Sequence, residues 1–484
     1  MKAQRLFDAI TALPDGLVAE AEYRKPAQRP TLKTRLRRRW YIPAVAAALA
    51  LCFFLGSVLW PDGATIGMVA SAAYLAEYPD RAQAVSKGDI NRENKYDIWS
   101  REQAALRLPE DYDKSGLNSF TQALVQAFFG DNQSQNRICS PANIYMALAM
   151  LAETADADSR RQILTALGET DIETLRSKAN TLWNNVYRND GNTTTLLANS
   201  LWLRGDDKYS YVEQTLKTLA ENYYASSFTG EMGSDSYDQV LRDWMNSNTN
   251  DLLKDQIDGI SLDKRTVMAL VSTIYFKGNW SNEFNSARNT VDTFHSVAGD
   301  SQVTFMHQSE KMSYYWSYNF AAAVKSVGGN SRMWLVLPDE GTAPEELLQS
   351  DSFWSMVQGS GGVDKMSITV DLSVPKFDVS DQIDLTDALP ALGITDVFDM
   401  YASDFTPLTT DGKLIYVSQA LHGARLKIDE EGAEGAAYTL IGKGDGSSPP
   451  SDDRVELKLN RPFVFVLTNT DNIPLFVGIV HTPQ

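Results

Sequence analysis

Twenty consecutive residues without a charge, Tyr41–Trp60 (YIPAVAAALALCFFLGSVLW), constrain this chain more than any other feature. At about 1.5 Å per residue, a helix over them spans about 30 Å, the thickness of a bilayer's hydrocarbon core. Tyr41 and Trp60 stand at its two ends, where amphipathic rings anchor at headgroup level. Lys33, Arg35, Arg37, Arg38 and Arg39 come immediately before the run, and basic residues stay on the cytoplasmic side. The pattern predicts a single-pass protein of the cell membrane, with a basic cytoplasmic tail (1–40), a transmembrane helix (41–60) and everything from residue 61 outside. A buried core helix is a poor rival, because it would not carry five flanking basic residues. A cleaved signal peptide is a stronger one and would give a protein secreted after cleavage near Ala72, at Ala70-Ser71-Ala72. That site lies well beyond the run, and the segment before the run is far longer than an ordinary n-region, so an uncleaved anchor is expected.

The run also divides the charge. Residues 1–40 carry 10 basic and 4 acidic side chains, so the formal net charge of −18 splits into +6 before the run and −24 after it. Binding a polyanion needs a basic face, which excludes nucleic acid as the main partner. With 43% hydrophobic residues the chain can build a sizeable core. Cys52 falls inside the run and Cys139 far outside it, which leaves no pair for a disulfide. His295, His307, His422 and His481 lack metal-site spacing, and HExxH, GxSxG, P-loop and GxGxxG motifs are absent. Neither a metal nor a cofactor is expected, and the chain does not read as an enzyme.

Beyond the run, residues 61–112 are polar and mixed, opened by Pro61-Asp62-Gly63, and read as a stalk that partly packs on the domain after it. From about residue 113 to 484 the texture is globular. Ser140-Pro141 predicts a capped helix with Ile144, Leu148 and Leu151 on one face, and Gly168 ends a second helix over 159–167. Met366, Ile368, Val370, Leu372 and Val374 alternate as in a half-buried strand. Residues 463–467 and 475–480 are continuous apolar runs suited to a buried hairpin. Helices early and strands late make the class α+β, with mostly antiparallel sheets. Between the strand 424–428 and that hairpin lies Asp429–Asp453, acidic at both ends and rich in Gly, Ser and Pro in its middle. A connection this long inside a compact domain is functional or disordered.

Several blocks, in order, resemble the serpins. They are Asn136-Arg-Ile-Cys-Ser-Pro141, Leu197-Ala-Asn-Ser-Leu-Trp202 and Val271-Ser-Thr-Ile-Tyr-Phe-Lys-Gly-Asn-Trp280. Leu392-Gly-Ile-Thr-Asp-Val-Phe398 with Phe405, Asp429-Glu-Glu-Gly-Ala-Glu434 and Arg461-Pro-Phe463 complete the set. The resemblance implies a serpin-like domain over 113–484, a helical bundle around three β-sheets with an exposed reactive-centre loop. It implies inhibition of a serine protease, or sometimes a cysteine protease, by a suicide-substrate route. The protease cleaves the loop and forms an acyl-enzyme, and the loop then inserts into the central sheet. A bacterial, surface-tethered monomer acting on an extracellular protease is the leading expectation. The alternative is a non-inhibitory serpin-fold binding or scaffold protein.

The resemblance also marks site residues. Glu430, Glu431, Gly432, Ala433, Glu434, Gly435, Ala436 and Ala437 match the hinge of the loop, with Gly435 where alanine is usual. On insertion, Ala433, Gly435, Ala437, Thr439 and Ile441 would share one face, all uncharged and small or β-compatible. A floppy insertion has no reason to show that alternation. Counting seventeen residues from Glu430 puts the reactive bond at Gly446–Ser447, within a window of 445–448. Counting back from Pro462 puts it near Ser451–Asp452. The hinge count is preferred, because the inserted arm must span the sheet, about 55 Å at 3.3 Å per residue. Ser140 and His422 match two members of the polar cluster that controls sheet opening. Asn143 stands there for a second serine and Ser272 for an asparagine, which suggests a swapped but satisfied network; a partnered core histidine is the plainer account of His422. Trp280 matches the tryptophan where the loop enters the sheet.

Overall fold

The computed structural model describes residues 58–59, 65–70, 108–109, 111–130, 134–189, 193–206, 208–328, 331–409, 414–433 and 453–483. The tail 1–40, most of the apolar run, and Glu434, Gly435, Ala436, Ala437, Gly446 and Ser447 lie outside these residues.

Four helices open the globular part: α1 (Ser115–Phe129), α2 (Pro141–Thr154), α3 (Ala157–Leu167) and α4 (Ile172–Val186). Helix α2 begins as its sequence dictates, with Ser140 Oγ accepting from the Asn143 amide and proline in the first turn. Its burial exceeds the one apolar face expected, because every residue from Pro141 to Thr154 is buried. A helix apolar on all sides belongs in the interior, and α2 packs against α1, α3, α4 and both sheets. Helix α3 stops at Gly168, whose φ of +73° suits glycine.

The first sheet contains β1 (Val58–Leu59), β2 (Thr65–Ala70), β4 (Arg188–Asn189), β5 (Thr193–Arg204), β6 (Ala225–Gly230), β7 (Met268–Asn279), β13 (Phe377–Asp384), β14 (Val417–Ile428) and β15 (Gly432–Ala433). They run in the order β1-β2-β6-β5-β7-β15-β14-β13, with β4 beside β5. Two further helices follow β5, α5 (Glu213–Asn222) and α6 (Asp235–Asn248), and α6 packs on β5 and β7. The second sheet contains β3 (Arg137–Cys139), β8 (Thr290–Ser296), β9 (Gly299–Trp316), β10 (Phe320–Val327), β11 (Ser331–Pro338), β12 (Asp364–Pro375), β16 (Arg454–Lys458), β17 (Phe463–Thr468) and β18 (Pro474–Val480). Its order is β16-β12-β9-β10-β11-β17-β18-β3, with β8 beside β9. The predicted hairpin is β17–β18, buried throughout.

Two expectations need correction. The three sheets appear as two hydrogen-bonded networks, because β9, 18 residues long, pairs with β8, β10 and β12 and so joins what would be separate layers. The expected membrane helix does not reach the end of the apolar run. Val58 and Leu59 pair with Ile66 and Thr65 as a hairpin instead. Pro61-Asp62-Gly63, a turn-forming sequence, stands between the two strands. Strand β2 then pairs with β6 at the border of the first sheet, so six residues of the predicted stalk belong to that sheet. Among the described residues, no helix is long and apolar enough to cross a membrane.

Close packing in the β17–β18 hairpin gives a direct test. A Cβ on Gly478 would lie 2.3 Å from the Phe465 ring and 2.8 Å from the Arg137 carbonyl, whereas one on Gly259 would meet nothing within 4 Å. Gly478→Ala should lower unfolding stability by about 1–3 kcal/mol, the usual cost of overpacking a core. Gly259→Ala should leave the urea midpoint unchanged; equal effects of the two would contradict this packing.

Candidate reactive-loop seat in the central sheet

The centre of the first sheet is a seam between β7 and β14. These strands pair directly, and in parallel, from Met268–Thr273 against Val417–Gly423. Past Thr273 and Gly423 they part. At the far end β15 fills the gap, with Ala433 opposite both Gly278 and Ile428, and Gly432 opposite Asn279. A wedge is thus built into the sheet, closed at one end and held open by Gly432 and Ala433 at the other. Glycine is obligatory in this seat, since a Cβ on Gly432 would lie 2.2 Å from the Gly278 carbonyl oxygen.

A tight turn returns the chain from β14 to β15. The Asp429 carboxylate accepts from the amides of Glu431 and Gly432 at 3.0 and 3.3 Å, and the Asp429 amide donates to the Gly432 carbonyl. Trp280 holds this turn twice, its amide donating to the Glu431 carbonyl and its indole N–H to the Asp429 carbonyl, each at 2.9 Å. Glu430 pairs with Lys376 at 2.7 Å and accepts from Asn289 Nδ2. Burial opposes the charge on Glu430, but the Lys376 bond and the other hydrogen bonds prevail and hold its carboxyl below the usual range. Behind Trp280 sits Lys325, its side chain 1% exposed, with Nζ 2.7 Å from Glu310 and 4.8 and 5.5 Å from the Phe284 and Trp280 ring centres.

At the closed end, His422 of β14 and Ser272 of β7 are register partners. The His422 ring is buried and receives the Ser140 amide at Nε2, 3.1 Å away. An amide can only donate, so the neutral ring carries its proton on Nδ1 and donates to Ser272 Oγ at 3.0 Å. Ser140, Ser272 and His422 therefore converge as one network joining α2 to both seam strands. Asn143 does not join it through its side chain. Its backbone amide caps on Ser140, while its buried side-chain amide has no partner among the described residues. The swapped network is thus incomplete, because Asn143 lies one helical turn past the cap and its backbone, not its amide group, takes the Ser140 hydroxyl. Asn199, opposite Ser272 on β5, is likewise buried and unpartnered. Lys376, Asn289, Lys325 and Glu310 were not legible as site residues, since they arrive from four separated segments and no local spacing links them.

Burial lowers the His422 pKa to about 3, against an ordinary value near 6.5. The folded state therefore keeps the ring neutral while the unfolded chain protonates it. Its contribution to stability is intact above about pH 6.5 and falls as pH drops toward 3, by about 1.4 kcal/mol per pH unit. His422→Gln should flatten the stability–pH curve by that slope between about pH 6 and 4. Identical slopes in urea unfolding of the two proteins would show that His422 titrates normally in the fold.

Comparison with known proteins agrees with this geometry. The family model for serpins, serine protease inhibitors, matches residues 115–483. A serine protease inhibitor of Cyanea capillata is 29% identical over 362 residues, covering 72% of this chain and 93% of its own length. Alpha-1-antiproteinase 2 of Equus caballus is 30% identical over 381 residues, covering 76% and 86%. The solved structure of tengpin, a thermophilic serpin in its native state, superposes with a TM-score of 0.68 at 25% identity, over 84% of this chain and 100% of that one. Thyroxine-binding globulin in complex with thyroxine shares the fold at a TM-score of 0.65 and 24% identity, over 77% and 99%. Proteins of this kind are in general inhibitors of serine proteases and not catalysts. The chain belongs to the serpin family.

Proposed function

We propose that this serpin is a suicide-substrate inhibitor of an extracellular serine protease, or of a cysteine protease that accepts the same loop. The protease nucleophile attacks the Gly446 carbonyl carbon, the Gly446–Ser447 bond breaks, and Ser447 leaves as a new amino terminus. The acyl-enzyme then carries the protease on the arm that begins at Ala433. Insertion continues what Gly432 and Ala433 have begun, each further residue pairing with β7 on one side and β14 on the other. One direct ladder is replaced by two, at a net gain of about 0.5–1.5 kcal/mol per added hydrogen bond. The arm must separate Ser272 from His422 as it passes, so that bond resists opening until the new strand offsets its loss. Asn143 and Asn199 are buried amides able to take new partners once the seam strands move apart.

The observation that carries this reading is the seating of Gly432–Ala433 between β7 and β14 ahead of a seam that is still zipped. The uncharged alternation from Ala433 to Ile441 supports it. We place the inhibitor as a monomer on the outer surface of a bacterium of Gram-positive type; the part of the apolar run that precedes Val58 would be its anchor, with the basic residues before the run keeping the tail inside. Protein isolated from membranes should then retain its N-terminal tail; a mature terminus near Ala73 would make the protein secreted.

Incubation of the full chain with trypsin, chymotrypsin, elastase and subtilisin tests the mechanism. At least one should give a complex that survives denaturing electrophoresis, and the loop-cleaved chain should unfold at a higher temperature. Ala433→Arg places a charge where the strand must be buried, and should yield cleaved chain with no complex. Cleavage across the panel with neither a complex nor a gain in stability would favour a non-inhibitory binding or scaffold protein.

A further inference from the structure

The turn between β9 and β10 carries an aromatic cluster that neither the hinge nor the seam uses. Tyr314 and Trp316, two apart on β9, share a face and stack with ring centres 5.8 Å apart and planes inclined by 27°. Tyr318 is 83% exposed, in the turn that the Ser317 amide closes by donating to the Phe320 carbonyl. On the neighbouring strand, Trp316 has Asp364, the first residue of β12, as its register partner. The chain reaches Asp364 from a helix α7 (Asp351–Gln358) through Gly359-Ser-Gly-Gly362. Three of those four residues take a positive φ that suits glycine, and a cleft of about 500 Å³ lies between their bare backbone and the rings. Trp316, Ser317, Tyr318, Gly362, Val363 and Asp364 line it. Sites for small ligands occupy about 300–1,000 Å³, so this cleft is large enough to hold one.

The lining selects the charge of an occupant. Aromatic rings present electron-rich faces, which attract cations. Asp364 is exposed and forms no ion pair among the described residues. The same holds for Asp339, whose amide donates to the Asn319 carbonyl of the turn. Burial, and then the Asp339 charge, raise the Tyr314 pKa, so that charge is felt at the stacked pair. No basic side chain lines the cleft. Lys365, next in the chain, alternates to the other face of β12, where it lies opposite Tyr315 and lines a separate cavity with Trp334. An anion would meet Asp364 with no cation to offset it. A primary ammonium brings three donors that need acceptors, whereas a fully methylated one brings none and can lie against the rings.

We infer that the cleft between the β9–β10 turn and the start of β12 is a binding site for a small quaternary ammonium ion, held by the rings of Trp316 and Tyr318 and balanced by the Asp364 carboxylate. The site lies on the second sheet and uses no residue of the seam or the hinge, so it stands or falls apart from the inhibitory reading.

Isothermal titration calorimetry of the full chain with choline tests the site, and dimethylbutanol, the uncharged isostere of choline, is the comparison. Choline should bind saturably at one site per chain, and the isostere about tenfold more weakly or not at all. Tyr318 and Asp364 are exposed and their side chains make no hydrogen bond among the described residues, so Tyr318→Ala and Asp364→Asn should leave the melting temperature unchanged. Each should weaken choline binding about tenfold, and Asp364→Asn should also flatten its dependence on salt. Absence of saturable binding would overturn the inference, and so would equal affinities for choline and its isostere. Choline binding that both variants retain in full would place the ion elsewhere and overturn it as well.

Discussion

The parallel contact between β7 and β14 governs the rest of this structure. Among the described residues it is the one place in the first sheet where two long strands meet over only half their length, and a third strand already sits in the other half. A sheet gains hydrogen bonds by accepting a strand into such a wedge, so on the inhibitory reading proposed above the zipped seam would be held by a barrier and not by being the most favourable state. On that reading two features would build the barrier. His422 and Ser272 close the seam at one end and tie it to α2 through the Ser140 amide. Seven residues on from His422, about 23 Å away at 3.3 Å per residue, the Asp429 turn, Trp280 and the Glu430–Lys376 pair hold Gly432 and Ala433 at the other.

How far the sequence exposed this arrangement depended on whether the physics was local. The capped start of α2, the glycine that ends α3, the alternation of β12 and the apolar runs of β17 and β18 are short-range signals. Each element stands where its residues indicated. The long connection showed itself through its length, while the hinge residues, like Ser140, Ser272 and His422, were marked by resemblance. The Asn143 side chain was misjudged because type and position in the chain do not say which group of a residue faces the network. In α2 its backbone amide is spent on the Ser140 cap and its amide side chain is left over. The hairpin at Val58–Leu59 was hidden for a different reason. Apolarity selects burial without selecting geometry, and the turn residues after it permit the chain to fold back.

Three of the four groups that no pattern disclosed, Lys325, Glu310 and Lys376, are charged. Lys325 comes from β10, Glu310 from β9, and Trp280 and Phe284 from the segment after β7, and only the fold brings them together. Burial lowers the Lys325 pKa, while Glu310 opposes that shift. A buried ammonium is costly, and replacing such a pair with apolar residues is often neutral or stabilising. Its retention directly behind Trp280 therefore calls for a role other than raw stability. An ammonium lying over two aromatic rings is an orientation-dependent contact that a methylene chain could not reproduce. It holds the Trp280 indole in the plane from which it reaches the Asp429 carbonyl, and so holds the turn that seats Gly432. The buried charge thus contributes to the placement of Gly432 and Ala433, whose position would decide, on the inhibitory reading, whether the seam is ready to receive a strand.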